Sequence, residues 1–161
     1  MIKRNITIRR AQTNDNADII RLLQQIGALH HKGRSDIFKE SYQKYSREEF
    51  ETILNNKNRP VFVAADDNNN ILGYCFCMIH NYAAHPVVND YSSLYIDDFC
   101  VDENCRGLGI GKMIFAAVKK YAEQIKVYNI ELNVWEFNES AVKFYEICGF
   151  STQRRRMEII L

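Results

Sequence analysis

Apolar residues recur at helical spacing in four stretches of the chain. In the first stretch they return every three or four positions from Ile19 to Leu29, which places them on one face of a helix. Ser46 and Glu49 have the spacing of a capping box, while Asn138 and Gly149 suit the two ends of a short helix. The pattern predicts helices over residues 15–31, 46–54, 109–126 and 138–148.

Six stretches rich in β-branched and aromatic residues predict strands. The asparagine run 68–70 separates two of them and suits a tight hairpin. Three consecutive strands in mid-chain favour antiparallel pairing, and the later alternation with helices favours parallel crossovers. The sequence therefore predicts an α/β protein with a mixed sheet flanked by helices. The predicted strands cover residues 5–11, 60–66, 71–80, 92–101, 129–135 and 150–161.

Composition limits the function classes. The 161 residues are enough for one domain, 1–161, and the net charge of +1 provides no basic face for nucleic acid. No apolar run approaches the length of a membrane span, and the first residues lack a secretory leader pattern. The odd number of cysteines, five, favours free thiols and a cytoplasmic location. Cys75 and Cys77 have no second ligand pair at metal-site spacing, so no metal is predicted.

The stretch CRGLGIGKMIF, residues 105–115, places three glycines directly before a predicted helix. Glycines at a helix start let a phosphate approach the unpaired backbone N–H groups. A turn in which glycine only satisfies a positive φ explains the spacing equally well. A P-loop is excluded because position 106 is Arg and Met113 follows Lys112. A dinucleotide-binding fingerprint is excluded because Ile114 stands where its third glycine belongs.

Two motifs in order carry a resemblance to a known family. RGLGIG follows a strand that ends in DDFCVDE and matches the pattern Arg/Gln-x-x-Gly-x-Gly, and NESAVKFYEICGF lies downstream. The chain thereby resembles the GNAT superfamily of acetyl-CoA-dependent N-acetyltransferases. The resemblance implies a splayed central mixed sheet and direct attack of an amine on acetyl-CoA in a ternary complex. It also implies a set of residues along the cosubstrate: Phe99, Cys100, Val101, Arg106, Gly107, Leu108, Gly109, Ile110, Gly111, Lys112, Asn138 and Tyr145.

The resemblance implies two catalytic residues. Tyr145 matches the family's proton donor to the departing thiolate, although an aromatic residue on an amphipathic helix is also typical core. Asp97 matches an acidic residue that is proposed to act as the base for the incoming amine, often through a water molecule. Alternatively, Asp97 only orients the amine. Strand alternation places Asp98 on the opposite face from Asp97. Two solvent-exposed charges without a role are the simpler reading of this pair.

The acceptor is expected beside the first two helices. The polar and aromatic stretch between them is either the substrate wall or a surface loop, and its candidate acceptor contacts, with Asp98, are His30, His31, Arg34 and Asp36. The carboxylates suggest a cationic amine, either a small molecule or a peptide amine. Because a late strand can pair between subunits, a homodimer is compatible with the sequence. A non-catalytic coenzyme-A-binding regulatory module on the same fold is the competing hypothesis.

Overall fold

The structure is a computed structural model that describes residues 5–161; residues 1–4, with which the predicted domain begins, lie outside the described part. Its five strands form one sheet in chain order, β1-β2-β3-β4-β5. The first four strands pair antiparallel, and β4 and β5 pair parallel. The strands are β1 (Thr7–Arg10), β2 (Val61–Ala65), β3 (Ile71–Asn81), β4 (Ser92–Val101) and β5 (Asn129–Leu132).

Two hydrophobic clusters cover the two faces of this sheet. One packs Ile110, Ile114 and Val118 of the third helix against the strands. The other packs Leu22 and Phe50 of the first two helices against the opposite face. These residues come from the apolar faces that the helical spacing predicts. The helices are α1 (Asn16–Gly33), α2 (Arg47–Leu54), α3 (Ile110–Gln124) and α4 (Glu139–Ile147).

Local sequence signals set the helix ends. The capping box at α2 is present: the Ser46 hydroxyl accepts from the Glu49 backbone N–H at 3.1 Å, and the Glu49 carboxylate accepts from the Ser46 N–H at 2.7 Å. The Asn138 side chain caps α4 by accepting from the Ala141 N–H at 3.3 Å. Gly149 follows α4 with a φ of 95°, the left-handed conformation that glycine adopts readily. None of the helices in residues 5–161 is both long and apolar enough to span a bilayer.

The prediction of a final strand over residues 150–161 is wrong. Residues 151–161 form neither strand nor helix and are exposed throughout. The β-branched and apolar residues that suggested a strand are present, but within the described residues no neighbouring strand pairs with this segment, and a strand needs a partner for its backbone groups. The preceding strand is also shorter than predicted, because β5 ends at Leu132 rather than at Trp135.

Candidate active site

A gap opens between β4 and β5 halfway along the sheet. Pairing of these strands ends at Ile96 and Leu132, whereas β4 stays paired with β3 as far as Val101. Beyond Ile96, therefore, one edge of β4 pairs with β3. The opposite edge has no strand partner among residues 5–161. Asp102 donates its N–H to Leu72 of the β3 side at 2.8 Å. Backbone groups alternate along a strand, so those of Phe99 and Val101 face the gap.

Cys100 faces the other way. A Cβ placed on Gly73 of β3 would lie 2.9 Å from the Cys100 carbonyl oxygen, so that carbonyl points to β3. The Cys100 thiol is buried against the α1 side of the sheet. Burial is the main cause that raises the pKa of this thiol to about 12. Of the three residues predicted along the cosubstrate on β4, Phe99 and Val101 thus present backbone groups to the gap, and Cys100 does not.

The glycine stretch forms the turn that leads from β4 into α3. Gly107 and Gly109 have φ values of 78° and 80°, so both need the left-handed conformation. A Cβ on either would meet no atom within 4 Å, which means that this surface of the turn is open. The first helical hydrogen bond of α3 runs from the Met113 N–H to the Gly109 carbonyl at 3.1 Å. The N–H groups at the start of α3 are therefore free of intrahelical partners.

The third glycine of the stretch has a packing role. A Cβ on Gly111 would come within 3.1 Å of the Phe144 ring, so its absence lets α3 and α4 approach closely. Arg106 and Lys112 are exposed beside the turn. The turn therefore has the positive φ values that one reading of the glycines requires, and it also leaves amide groups uncovered.

Side chains of α1 hold the turn in place, and the sequence patterns did not single them out. Arg21 donates to the Asp102 carboxylate at 2.6 Å, and Asp102 also accepts from the Asn104 N–H at 2.9 Å. Gln25 donates to the Val101 carbonyl at 3.0 Å and accepts from the Glu103 N–H at 3.1 Å. Arg21 and Gln25 lie one helical turn apart and therefore on the same face of α1. This spacing is the only sign in the sequence that the two residues act together.

The two aspartates of β4 lie on the same side of the sheet, so the prediction that they face opposite sides is wrong. The register of β3 against β4 shifts between Phe76 and Cys77, which pair with Asp98 and Ile96. Asp97 is the extra residue of this β-bulge, and the bulge interrupts the alternation of side chains. Lys44 contacts both aspartates through Nζ, at 3.2 Å from Asp97 Oδ2 and 3.0 Å from Asp98 Oδ2.

The side-chain ammonium of Lys44 binds to both carboxylates, and we call the pocket formed around it by Asp97 and Asp98 the ammonium site. Burial opposes the lysine charge, but Asp98 and Asp97 outweigh it and raise the pKa of Lys44. The Lys44 ammonium also donates to the Asp97 carbonyl at 3.3 Å. Lys44 comes from the segment between α1 and α2, and sequence reasoning missed it because nothing local distinguishes it from an exposed lysine.

Three further groups complete the ammonium site. Tyr45 donates its hydroxyl to Asp97 at 2.5 Å, and Tyr74 donates to Asp98 at 2.9 Å. Burial, together with the hydrogen bond to Asp97, raises the pKa of Tyr45 to about 12. Arg59 donates to the Tyr45 hydroxyl at 3.2 Å. Each carboxylate therefore has one tyrosine donor and one share of the lysine ammonium.

Tyr145 stands among aromatic rings on α4. Its ring centroid is 5.4 Å from that of Phe144, 5.6 Å from that of Phe150 and 6.4 Å from that of Phe99. Burial raises the pKa of Tyr145, with a smaller contribution from nearby acidic groups that include Asp98. The hydroxyl therefore stays protonated at neutral pH. No side-chain or backbone acceptor for this hydroxyl is found among residues 5–161, so its proton is available to another group.

The predicted acceptor contacts do not all gather at one place. His30 stacks on Phe38 at a centroid distance of 5.0 Å, and burial lowers its pKa, an effect that Asp98 opposes. His31 is engaged at Nδ1 with the Phe38 carbonyl at 2.7 Å. Arg34 binds Asp36 at 2.7 Å and also pairs with Glu158. Of this predicted set, only Asp98 contacts the Lys44 ammonium among the described residues. Asn138 is engaged as the α4 cap described above.

Comparisons with known proteins identify the family and the fold of the chain. The profile of the acetyltransferase (GNAT) family matches residues 30–150. A solved structure of a tetramutant of the BH1408 protein from Bacillus halodurans is 34% identical, with a TM-score of 0.92 over 96% of this chain and 99% of that chain. Glucosamine-6-phosphate N-acetyltransferase from Arabidopsis thaliana is 21% identical, with a TM-score of 0.72 over 97% of this chain and 98% of that one, a likeness of fold alone.

A curated relative matches a shorter stretch. Spermine/spermidine N(1)-acetyltransferase from Bacillus subtilis is 32% identical over 76 residues, which are 47% of this chain and 50% of that protein. The chain spans about half the length of the curated relatives that it matches. The predicted α/β class with a mixed, splayed sheet is confirmed by these structural likenesses.

Proposed function

Because the chain belongs to the acetyltransferase (GNAT) family, we propose that it transfers the acetyl group of acetyl-CoA to a cationic primary amine. One observation carries the choice of acceptor: the Lys44 ammonium lies between Asp97 and Asp98, 3.2 and 3.0 Å from their oxygens. The site is therefore already built to hold a protonated amine. That the Bacillus subtilis relative is a spermine/spermidine acetyltransferase supports the same acceptor class.

The cosubstrate would lie across the open side of the β4 edge and the glycine turn. The N–H groups from Gly107 to Lys112 would bind its pyrophosphate, since they are uncovered and stand at the positive end of α3. Backbone groups of Phe99 and the Val101 N–H would bind the pantetheine arm as a further strand would, since the Val101 carbonyl already accepts from Gln25. Arg106 and Lys112 would add positive charge near the phosphates.

The acceptor would bind by taking the place of Lys44. Its ammonium would be held by Asp97 and Asp98 with the help of the Tyr45 and Tyr74 hydroxyls. An amine must lose a proton before it can attack, and Asp97, which lies at the bulge nearest the gap, would accept that proton through water or orient the amine for its loss. Once Lys44 is displaced, the two carboxylates outnumber the one remaining cation, Arg59, which favours a cationic acceptor.

The transfer itself needs two further groups. The amine nitrogen forms a bond to the acetyl carbon while the bond from that carbon to sulfur breaks. A backbone N–H on the free edge of β4, that of Phe99 or Val101, would stabilise the negative charge on the acetyl oxygen. Tyr145 would donate its proton to the departing thiolate. The tyrosine is suited to this step because burial keeps it protonated and no described residue occupies its hydroxyl.

The test is acetyl transfer from labelled acetyl-CoA to two pools of acceptors, read by mass spectrometry. One pool holds polyamines and other small amines, and the second holds peptides with free N-termini and internal lysines. We expect product in the small-amine pool and a fall in kcat of about a hundredfold in Tyr145→Phe. Tyr121→Phe serves as the matched control, because the Tyr121 ring packs against Phe62 of β2 at a centroid distance of 5.6 Å. Tight acetyl-CoA binding without product in either pool would indicate the regulatory module instead.

A further inference from the structure

Lys44 differs from the other lysines of the chain. The lysines elsewhere in residues 5–161 are exposed, whereas Lys44 is half-buried, with a side chain that is 31% exposed. Within the same range, Lys44 is also the one lysine whose ammonium pairs with a carboxylate. Burying an ammonium costs free energy unless its partners compensate, so this lysine is held in its place by specific contacts.

The contacts of the Lys44 ammonium are those that the proposed acceptor would make. Its Nζ lies 3.2 Å from Asp97 Oδ2, 3.0 Å from Asp98 Oδ2 and 3.3 Å from the Asp97 carbonyl oxygen. Three oxygen atoms thus surround one primary amine. Because the proposed function places the acceptor ammonium in this same site, Lys44 Nζ stands where the reacting nitrogen of a substrate would stand.

The groups that acetyl transfer needs lie near this amine. Asp97 is the first residue of β4 after the pairing with β5 ends, so the Lys44 amine lies at the start of the free edge. Phe99, two residues further on, presents its backbone to the gap. The ring centroids of Tyr145 and Phe99 are 6.4 Å apart. The proposed base, oxyanion donor and proton donor therefore lie along one short stretch of β4, residues 97–99.

Aromatic residues on either side of Lys44 hold its segment in place. The ring of Tyr45 stacks on Phe76 of β3 at a centroid distance of 5.3 Å. The Tyr42 hydroxyl lies 3.4 Å from Nδ1 of His30 on α1. An amine tethered in this way has an effective concentration in its own site on the order of millimolar or higher. Lys44 therefore meets a bound thioester without an encounter between two molecules.

We propose that Lys44 is a self-acetylation site, an inference that rests on the acetyl transfer proposed above. When no other amine fills the ammonium site, the chain transfers one acetyl group from acetyl-CoA to its own Lys44 Nζ. The modification removes the charge of Lys44, so each chain undergoes it once. Self-acetylation therefore appears as one label per chain and not as continuing turnover.

The step balances in atoms and protons. The Lys44 ammonium first gives a proton to Asp97 through water, and this proton passes to solvent. The neutral Nζ then forms a bond to the acetyl carbon while the bond from that carbon to sulfur breaks. The departing thiolate takes the Tyr145 proton, and the second proton released by the nitrogen restores the tyrosine. The products are an acetamide at Lys44, the free thiol of coenzyme A and one proton.

The test is incubation of the full chain with isotope-labelled acetyl-CoA and no added amine, followed by site-resolved mass spectrometry. We expect label at Lys44 at a rate about tenfold or more above that at Lys39. Uncatalysed acetylation would give the reverse order, because Lys39 is exposed whereas carboxylates hold the Lys44 ammonium. Lys44→Arg keeps a cation beside the carboxylates and should lose the label, and the matched control Lys39→Arg should keep it.

Three further measurements show whether the site itself carries out the transfer. Tyr145→Phe should slow the labelling of Lys44 by about a hundredfold and leave that of Lys39 unchanged. The rate constant at Lys44 should be independent of protein concentration, because each chain modifies itself. Saturating spermidine should protect Lys44 by filling the ammonium site, whereas an uncharged glycol of similar length should not.

The outcomes separate self-acetylation from the proposed function. Acetylated spermidine with Lys44 unlabelled in the absence of amine would refute self-acetylation and leave the proposed function intact. Equal labelling of Lys44 in Tyr145→Phe, or a rate constant that rises with protein concentration, would also refute it. Label at Lys44 without acetylated spermidine would support self-acetylation and count only against the proposed acceptor class. Label at neither amine would refute both.

Discussion

At the residue scale, Asp97 shows how one extra residue in a strand changes the chemistry of a site. Simple alternation would send Asp97 and Asp98 to opposite faces of β4. The bulge brings both carboxylates to one side, where Lys44 contacts each of them. The positions of the carboxylates along the chain are plain from the sequence. Their shared direction is not, because a bulge depends on how β3 pairs with β4.

Asp97→Asn tests the role of the carboxylate at the bulge. The amide can still accept the Tyr45 hydrogen bond, but it loses the charge that holds and deprotonates an amine. We expect kcat for the amine acceptor to fall by about tenfold to a hundredfold, with the dissociation constant of acetyl-CoA unchanged. Steady-state kinetics and calorimetry measure the two quantities. Asp67→Asn, in an exposed hairpin, is the control, and unaltered kcat in Asp97→Asn would exclude the assignment.

Lys44→Met tests whether the lysine occupies the acceptor position. Without the lysine, an incoming ammonium displaces nothing, so the KM for a cationic amine should fall severalfold. The two carboxylates lose an ion-pair partner that is partly exposed, so the free energy of unfolding should fall by about 1–2 kcal/mol. Kinetics and urea unfolding measure these effects, with Lys39→Met from the same segment as control. A higher KM would mean that Lys44 helps to bind the acceptor.

At the element scale, the turn between β4 and α3 combines two requirements that the sequence could only offer as alternatives. Gly107 and Gly109 adopt positive φ, and the same backbone exposes the N–H groups at the start of α3. The position of the turn was predictable because the glycines stand between a strand pattern and a helix pattern. The support that Arg21 and Gln25 provide from α1 was not, because those contacts join residues far apart in sequence.

Gly109→Ala tests the glycine turn. Open space surrounds the position, so the cost comes from the backbone conformation alone: a Cβ at a φ of 80° is strained by about 1–2 kcal/mol. We expect a lower free energy of unfolding by that amount, and weaker acetyl-CoA binding by about tenfold if the turn shifts to relieve the strain. Urea unfolding and calorimetry provide both values. Leu108→Ala alters the neighbouring side chain but not the backbone, and an equal effect there would contradict this account.

At the scale of the whole molecule, the segment between α1 and α2 joins distant parts of the chain. His30 at the end of α1 stacks on Phe38 at a centroid distance of 5.0 Å and meets Phe137, beyond β5, edge-on at 6.4 Å. Lys44 of the same segment reaches the β4 carboxylates. The proposed acceptor side of the site is therefore assembled from three parts of the chain, which local patterns cannot bring together.

His30 gives the folded protein a pH dependence. Burial lowers its pKa below the ordinary value of 6.5, with Asp98 opposing and Lys44 assisting that effect. The unfolded chain therefore binds the proton first, so His30 destabilises the fold as the pH drops below about 6.5. We expect a lower urea midpoint at pH 5.5 than at pH 7.5, and a smaller difference in His30→Gln. His85→Gln, in an exposed loop, should keep the full difference; an unchanged difference in His30→Gln would contradict the assignment.

The sequence by itself determined the four helices and the first five strands of this protein and their order, because helical spacing, capping residues and glycines act over a few neighbouring positions. It also marked Tyr145, the two aspartates and the glycine turn as candidate site residues. Only the tertiary structure decided that Asp97 and Asp98 converge, that Lys44 binds between them, and that segment 151–161 stays off its own sheet. Each of these outcomes depends on a partner distant in sequence, and the energy of such a pairing appears only when the chain has folded.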